Sequence, residues 1–324
     1  MTQTRRHFCS TLSGSAALLL TGNAARAQDK YPSKPIRLVL PYTSGGSADA
    51  LARALAEQLQ LKLGQTVIVD SRPGANSMLG ANIVARAPHD GYTLLYVGWP
   101  TISTNLVVYK NVSYKLEDFS PITTLFRSPI GLTVKKDLPV SNLKELIDYA
   151  RKQGSLAYGT SGIGSSPHLL MERLKQTTGA NFQHVPYKGE GPGVIDVMGG
   201  HLPVFAGGLT TPAQQISAGT LKIIAVSSAD RLPAFPDVPT FREAGFPQQV
   251  FTFWHGIAAP AGTPRAIIDT LHDTIAVAMS SQGVRTVLGA DQIPTINTPE
   301  QFSALIRQDI ETWGPVIRAS NLVE

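Results

Sequence analysis

Short apolar strands that alternate with amphipathic helices across tight turns constrain this chain more than any other feature. Ile36-Arg37-Leu38-Val39-Leu40 is a brief apolar run that meets a Gly/Ser turn, Thr43-Ser44-Gly45-Gly46-Ser47. The spacing of Leu51, Leu55, Leu59 and Leu63 predicts a helix over 48–63, with Asp49 in its first turn. A strand over 66–69, the turn Arg72-Pro73-Gly74, a helix over 76–86 and a strand over 93–97 continue the series. Parallel strands need a crossover between them, so this alternation predicts an α/β fold with a mostly parallel sheet flanked by helices.

The pattern then restarts. A strand over 130–134 precedes a helix over 141–153, capped by Ser141 with Lys144 and Glu145 in its first turns. A strand over 156–158 meets a second Gly/Ser turn, Gly159-Thr160-Ser161-Gly162-Ile163-Gly164-Ser165-Ser166, and a helix runs on to about 178. Short strands follow over 184–187, 202–205 and 221–226, then the connector Phe235-Pro236-Asp237-Val238-Pro239. A strand over 251–258 leads back, and helices over 265–279 and 299–320 close the chain. A length of 324 residues exceeds what one core usually serves, so two domains are expected. The two Gly/Ser turns match: Thr43-Ser44-Gly45 with Thr160-Ser161-Gly162, and Gly46-Ser47 with Gly164-Ser165. Each sits between a strand and a helix.

The first 27 residues are an export signal by their order of parts. Thr4-Arg5-Arg6-His7-Phe8 carries twin arginines, an apolar run from Thr11 through Leu18-Leu19-Leu20 reaches Gly22, and Ala25-Arg26-Ala27 supplies a cleavage site before Gln28. The apolar run is shorter than the roughly 20 residues a bilayer needs. The expected product is a soluble periplasmic protein exported by the twin-arginine route. Loss of Arg5, Arg6 and Arg26 lowers the net charge from +5 to +2 and leaves no basic cluster, so nucleic acid is not an expected partner. The single cysteine, Cys9, falls inside the signal; disulfides, thiolate metal sites and cysteine nucleophiles are therefore excluded after cleavage.

A glycine-rich turn at the carboxyl end of a parallel strand exposes backbone N–H groups, and the helix behind it adds about half a positive charge. Hydroxyls there can cap the helix or donate to a ligand oxygen. Together they make an anion site that needs no arginine. A plainer reading keeps the glycines for tight turning and the hydroxyls for capping. Enzyme motifs fail on the same residues. Gly159-Thr160-Ser161-Gly162-Ile163 lacks the last glycine of a nucleophile elbow, neither turn spells Gly-x-Gly-x-x-Gly, and His168 and His184 lack metal-ligand spacing. His168 reads as a capping or packing residue. No catalytic residue, metal or cofactor is expected; the rival is a serine-dependent periplasmic hydrolase using Ser44 or Ser161, which requires a base within hydrogen-bond reach.

Longer motifs carry a resemblance. Tyr31-Pro32-Ser33-Lys34-Pro35-Ile36-Arg37, Pro41-Tyr42, Gly45-Gly46-Ser47-Ala48-Asp49, Arg72-Pro73-Gly74-Ala75 and Ala87-Pro88-His89-Asp90-Gly91-Tyr92-Thr93-Leu94 occur in order. Gly162-Ile163-Gly164-Ser165-Ser166, Val185-Pro186-Tyr187-Lys188-Gly189, Pro236-Asp237-Val238-Pro239-Thr240, Glu243-Ala244-Gly245 and Ala259-Pro260-Ala261-Gly262-Thr263-Pro264 follow. In this order and spacing, across essentially the whole mature chain, they resemble the periplasmic solute receptors of tripartite tricarboxylate transporters, the Bug proteins.

The resemblance implies a two-lobed, Venus-flytrap periplasmic-binding-protein fold, with residues 30–124 plus 253–324 as one lobe and 125–252 as the other. The chain would cross near 122–128 and near 251–254. It implies that a small carboxylate sits in the cleft between the lobes. Carried over residue by residue, the ligand-binding set is Tyr42, Thr43, Ser44, Ser47, Ala48 and Asp49 from the first lobe, and Thr160, Ser161, Gly164, Ser165 and Ser166 from the second. Gly98, Trp99 and Thr101 would close one side of the pocket, and Gly208 and Thr210 the other. The expected partners are membrane transporter subunits or a sensor kinase, and the receptor itself is expected as a monomer. The chain departs from the family at Thr43 and Ser44, where relatives often carry proline or alanine, and at Trp99. Trp99 has two readings, stacking on a planar ligand or packing beneath its loop. Asp49 likewise either receives a ligand amine or complements its own helix. Lys188 reads as a solvated charge.

Overall fold

The computed structural model describes residues 31–322, so the export-signal reading of residues 1–27 lies outside the described residues. Strand β1 (Ile36–Leu40), helix α1 (Ser47–Leu63), β2 (Val67–Ser71), α2 (Met78–Ala85), β3 (Thr93–Gly98) and α3 (Asn105–Val108) come first. Then β4 (Phe119–Pro129) leads into β5 (Gly131–Lys135), α4 (Leu143–Gln153), β6 (Leu156–Thr160), α5 (Ser166–Thr178), β7 (Phe182–Pro186) and α6 (Glu190–Gly199). After β8 (Val204–Gly207), α7 (Ala213–Ser217) and β9 (Leu221–Val226), the chain returns through β10 (Thr252–Pro260). It ends with α8 (Arg265–Met279), α9 (Gln282–Arg285), β11 (Ile293–Pro294) and α10 (Pro299–Ala319). None of the described helices is long and apolar enough to cross a membrane.

The strands form two sheets, one in the order β11-β4-β10-β3-β1-β2 and one in the order β7-β6-β8-β5-β9. Both are mixed, where mostly parallel sheets are expected from the alternation. The trios β2-β1-β3 and β7-β6-β8 are parallel, and the strands nearest the crossings, β4, β10 and β5, pair antiparallel. Within each trio the carboxyl ends share one edge. The loops after β1, β2 and β3 therefore gather on one side of the first sheet, and those after β6, β7 and β8 on one side of the second.

Two neighbouring segments carry the chain between the sheets: β4 into β5, and β9 into β10, with β4 and β10 paired from Thr252↔Pro129 to Pro260↔Phe119. Ser227 ties both. Its amide donates to Ile130 O at 2.9 Å and its hydroxyl accepts from Ile130 N at 2.8 Å. The same hydroxyl donates to Phe251 O at 2.7 Å, while Phe251 N donates to Ser227 O at 2.8 Å. All three residues are buried.

One apolar cluster runs beneath both sheets, joining Val39 and Leu95 of the first to Leu132, Val134 and Tyr158 of the second. Its bridge is aromatic. Trp313 of α10 lies edge-on to Phe251 (4.7 Å between centroids) and to Trp99 (5.8 Å), with the Arg173 guanidinium of α5 above its face at 4.1 Å. A second cluster packs α1 and α8 against the other face of the first sheet.

Several boundaries differ from expectation for local reasons. The cap of α4 is Asn142, not Ser141: Asn142 Oδ1 accepts from Glu145 N at 3.0 Å while Glu145 Oε2 accepts from Ser141 N at 2.7 Å. Helix α2 starts at Met78 because Ala75, Asn76 and Ser77 all hold left-handed backbone, with φ of 45°, 49° and 72°. Ser77 Oγ lies 2.7 Å from Thr101 Oγ1, and Asn76 Nδ2 donates to Asn105 Oδ1 at 2.8 Å. Those bonds offset the strain of the three residues.

Replacing Ser227 with alanine removes a hydroxyl that serves both crossing segments and leaves the buried Ile130 N–H without its acceptor. The expected cost is about 2 kcal/mol of folding stability, read from the urea midpoint; a midpoint equal to wild type would show that the crossing does not depend on this hydroxyl.

Candidate functional site

The first Gly/Ser turn leaves β1 and enters α1 with Thr43, Ser44 and Ser47 exposed and Ala48 half-buried. Its helix is capped by Gly46, which offers no side chain, so the first-turn amides receive no side-chain cap. Gly45, at φ 89°, donates its amide to Asp49 Oδ2 at 2.9 Å, and Arg53 Nε lies 3.0 Å from Asp49 Oδ1. The Arg53 hydrogen bond, followed by that from Gly45, holds the Asp49 carboxyl below the usual range. Asp49 is thus paired within its own turn and helix, with Gly45 and Arg53. Ser44 Oγ lies 3.0 Å from the Oγ of Ser71, the last residue of the neighbouring strand β2.

The second turn is more tightly pinned. Thr160 is fully buried, and its Oγ1 accepts from Gly162 N at 3.2 Å and lies 2.7 Å from His184 Nε2. Gly164 N donates to His168 Nδ1 at 3.0 Å. Ser165 Oγ donates to Gly162 O at 2.7 Å, so as N-cap of α5 it gives no side-chain cap, and the Ser166 amide behind it is left for another acceptor. Ser161 is half-buried and Ser166 nearly covered. Among the turn amides, those of Gly45, Gly162, Gly164 and Ser165 are thus already engaged, and the uncapped first turns of α1 and α5, the latter without an N–H at Pro167, remain as the donor sets.

Tyr42 lies at the end of β1, stacked on His255 at 5.8 Å with an interplanar angle of 8°. Burial pushes its hydroxyl up to about 12. A Cβ at Gly98 would come within 1.9 Å of the Tyr42 hydroxyl, so this position admits glycine alone without rearrangement. Trp99 is fully buried, edge-on to Phe251 at 5.1 Å, which is the packing reading of that residue. Thr101 is also fully buried, its hydroxyl committed to Ser77.

The loop after β8 meets two carboxylates that sequence reasoning missed. Gly208 N donates to Glu190 Oε1 at 2.8 Å and Thr211 Oγ1 to Glu190 Oε2 at 2.6 Å. Leu209 N donates to Asp291 Oδ2 at 2.9 Å, Thr210 Oγ1 to Asp291 Oδ1 at 2.6 Å, and Ser128 Oγ to Asp291 Oδ2 at 2.7 Å. Asp291 precedes β11 of the first sheet, so it holds a loop of the second against the first. Burial raises the Glu190 carboxyl above its ordinary range. Glu190 opens α6 behind a Gly/Pro-rich start and Asp291 stands in a loop, and neither position carries a periodic or motif signal. A second contact joins the two halves at the other side, where Val108 of α3 would lie 3.5 Å from a Cβ at Gly164. Among the described residues, Ser44 Oγ lies against Ser71 Oγ, and the imidazoles of His168 and His184 bond Gly164 and Thr160, not Ser161.

Three histidines near these loops are held neutral. Burial lowers His168 to about 4, His184 to about 3 with help from His168, and His255 to about 4. An unfolded chain takes up these protons near pH 6.5, so folding stability falls as pH drops from about 6.5 towards 4. Asp309 opposes the trend, because burial raises it to about 6 despite a 2.7 Å bond from Trp254 Nε1, and the folded state takes up its proton first. Glu190, which burial also raises, opposes it too, and the three histidines outweigh the two carboxyls. The urea midpoint is expected to be lower at pH 4.5 than at pH 7, and equal midpoints would contradict the buried, neutral histidines.

The model of the tripartite tricarboxylate transporter family receptor matches residues 51–322. Protein BugT of Bordetella pertussis is 36% identical over 294 residues, covering 90% of each chain. The solved periplasmic binding protein BugD is 32% identical, with a TM-score of 0.79 over 90% of this chain and 99% of its own. An R. palustris protein, Rpa4515, solved with adipate, is 34% identical, with a TM-score of 0.81 over 90% of this chain and 98% of its own. The chain belongs to the tripartite tricarboxylate transporter receptor family, whose members are periplasmic solute-binding receptors.

Proposed function

We propose that this receptor captures a small carboxylated organic molecule between two lobes, residues 30–124 plus 253–324 and residues 125–252, and presents it to a tripartite-type transporter or a sensor. Export by the twin-arginine route, with cleavage before Gln28, brings it to the periplasm. The single observation that carries the reading is the pair of long helices, α1 and α5, that start at Gly/Ser turns with no side-chain cap. Such termini supply N–H donors and a positive dipole end to an anion. The adipate-bound relative supports the ligand class. The ligand set proposed is Tyr42, Thr43, Ser44, Ser47 and Ala48 with Thr160, Ser161, Ser165 and Ser166, and the loops at Gly98 and at Gly208 to Thr210 form the pocket sides. Ligand contacts to both lobes favour the closed form by their differential free energy. The chain acts as a binding protein and catalyses no reaction.

Calorimetry against dicarboxylates including adipate, tricarboxylates, amino acids and aromatic acids tests the reading, with one class expected to bind; a panel with no binder would contradict it. Ser47→Asp and Ser165→Asp separate binding from folding. Asp suits both positions as a helix-start residue, so thermal stability is expected to hold or rise. The same charge repels a bound carboxylate and is expected to weaken its affinity at least about tenfold. Unchanged affinity in both variants would remove these turns from the site.

A further inference from the structure

Behind the second Gly/Ser turn lies a buried pair of imidazoles. His168, only 3% exposed, stacks on His184 of β7 with ring centroids 3.7 Å apart and planes 15° apart. Each ring holds one part of the turn: His168 Nδ1 the amide of Gly164, and His184 Nε2 the hydroxyl of Thr160, which in turn accepts from Gly162 N. Gly162 and Gly164 have φ of 137° and 70°, backbone conformations open to glycine.

A backbone amide can only donate, so His168 Nδ1 carries no proton. The ring's one proton is on Nε2, which faces Glu172 Oε1 at 3.7 Å. The groups around the pair are Glu172 and Lys175 from α5, Tyr158 and Thr160 from β6, and Val108 of α3, which abuts Gly164 and carries no charge. Lys175 Nζ bonds both oxygens of Glu172 at 2.8 and 3.0 Å, and Tyr158 donates to the same carboxylate at 3.1 Å. The carboxylate is therefore already paired, and its pull on a protonated imidazole is opposed by burial and by the Lys175 charge beside it.

We propose that His168 is the positioning residue of the second ligand turn: its unprotonated Nδ1 holds Gly164, and protonation of that nitrogen sets N–H against N–H and releases the turn. This rests on the receptor reading above, and it adds that ligand retention is coupled to acid through a residue that does not touch the ligand. Burial and the nearby Lys175 keep the switch off at neutral pH, with His168 lowered to about 4.

The test is a 15N–1H spectrum of the ligand-free mature protein from pH 7 to pH 3.5. The Gly164 cross-peak is expected to move with a midpoint near 4, together with the His168 ring nitrogens. His168→Asn places an oxygen near the site of Nδ1 and does not titrate, so Gly164 is expected near its wild-type position at pH 7 with that midpoint abolished. His168→Phe, which has no acceptor, is expected to displace Gly164 already at pH 7. A Gly164 amide that stays still while His168 titrates, or that is unmoved in His168→Phe, overturns the proposal. Adipate calorimetry at pH 7 is the second arm: His168→Phe is expected to bind at least about tenfold more weakly than wild type, and His168→Asn within about threefold. Equal affinity in wild type and His168→Phe also overturns it. Absence of adipate binding in wild type counts against the dicarboxylate form of the receptor reading, and the Gly164 titration then decides the role of His168 alone.

Discussion

The junction of the two sheets depends on the polar backbone of two adjoining crossings being satisfied inside the protein. A chain that leaves one sheet for another must break its ladder, and buried N–H and C=O groups without partners are costly. Ser227 resolves this with one side chain and one peptide unit, bonding Ile130 in one crossing and Phe251 in the other. With the crossings adjacent, β4 and β10 pair along nearly their whole length, and each parallel trio is left to open its carboxyl edge to loops. The aromatic bridge of Trp99, Phe251 and Trp313 then joins the two cores directly behind that edge.

The two Gly/Ser turns look alike in sequence and are held by opposite chemistry. In the first, an ionised Asp49 takes the Gly45 amide and is itself compensated by Arg53. In the second, a neutral imidazole takes the Gly164 amide. Both arrangements spend turn amides on internal order, which leaves the helix starts as donors and lowers the entropy lost when an anion is bound. The first is insensitive to mild acid because its carboxyl is held low. The second depends on a base staying unprotonated. Similar turn sequences are thus coupled to pH differently because of the residue four positions on from the bonded glycine, Asp49 after Gly45 and His168 after Gly164.

Much of this scaffold was legible where local signals were strong. The 3.6-residue spacing of Leu51, Leu55 and Leu59 marked α1, and the runs at β1, β3 and β9 marked strands, because periodic burial follows directly from pattern. Strand β4 was hidden because Pro121 and Pro129 fall inside it, and prolines argue against a paired strand. Helix α6 was hidden because Gly191, Pro192 and Gly193 occupy its first turn. The family resemblance supplied the two-lobed fold that local signals alone would have left at two α/β units. Glu190 and Asp291 were beyond sequence reasoning, since their roles exist only once distant loops meet.

The burial of Trp99 and Thr101 bears on where discrimination among solutes resides. In the proposed receptor, uncapped helix starts recognise a carboxylate by geometry common to any such anion, so they contribute affinity without selecting a particular solute. The three residues assigned to the β3 side, Gly98 at the end of β3 and Trp99 and Thr101 after it, are all buried and shape the wall from within the core. The loop after β8 is different: its Gly208, Thr210 and Thr211 are bound to Glu190 and Asp291, one carboxylate from each side of the crevice. Replacing either carboxylate would alter both the position of that loop and the local charge. By this argument the loop after β8, more than the loop after β3, sets which solute the proposed pocket accepts.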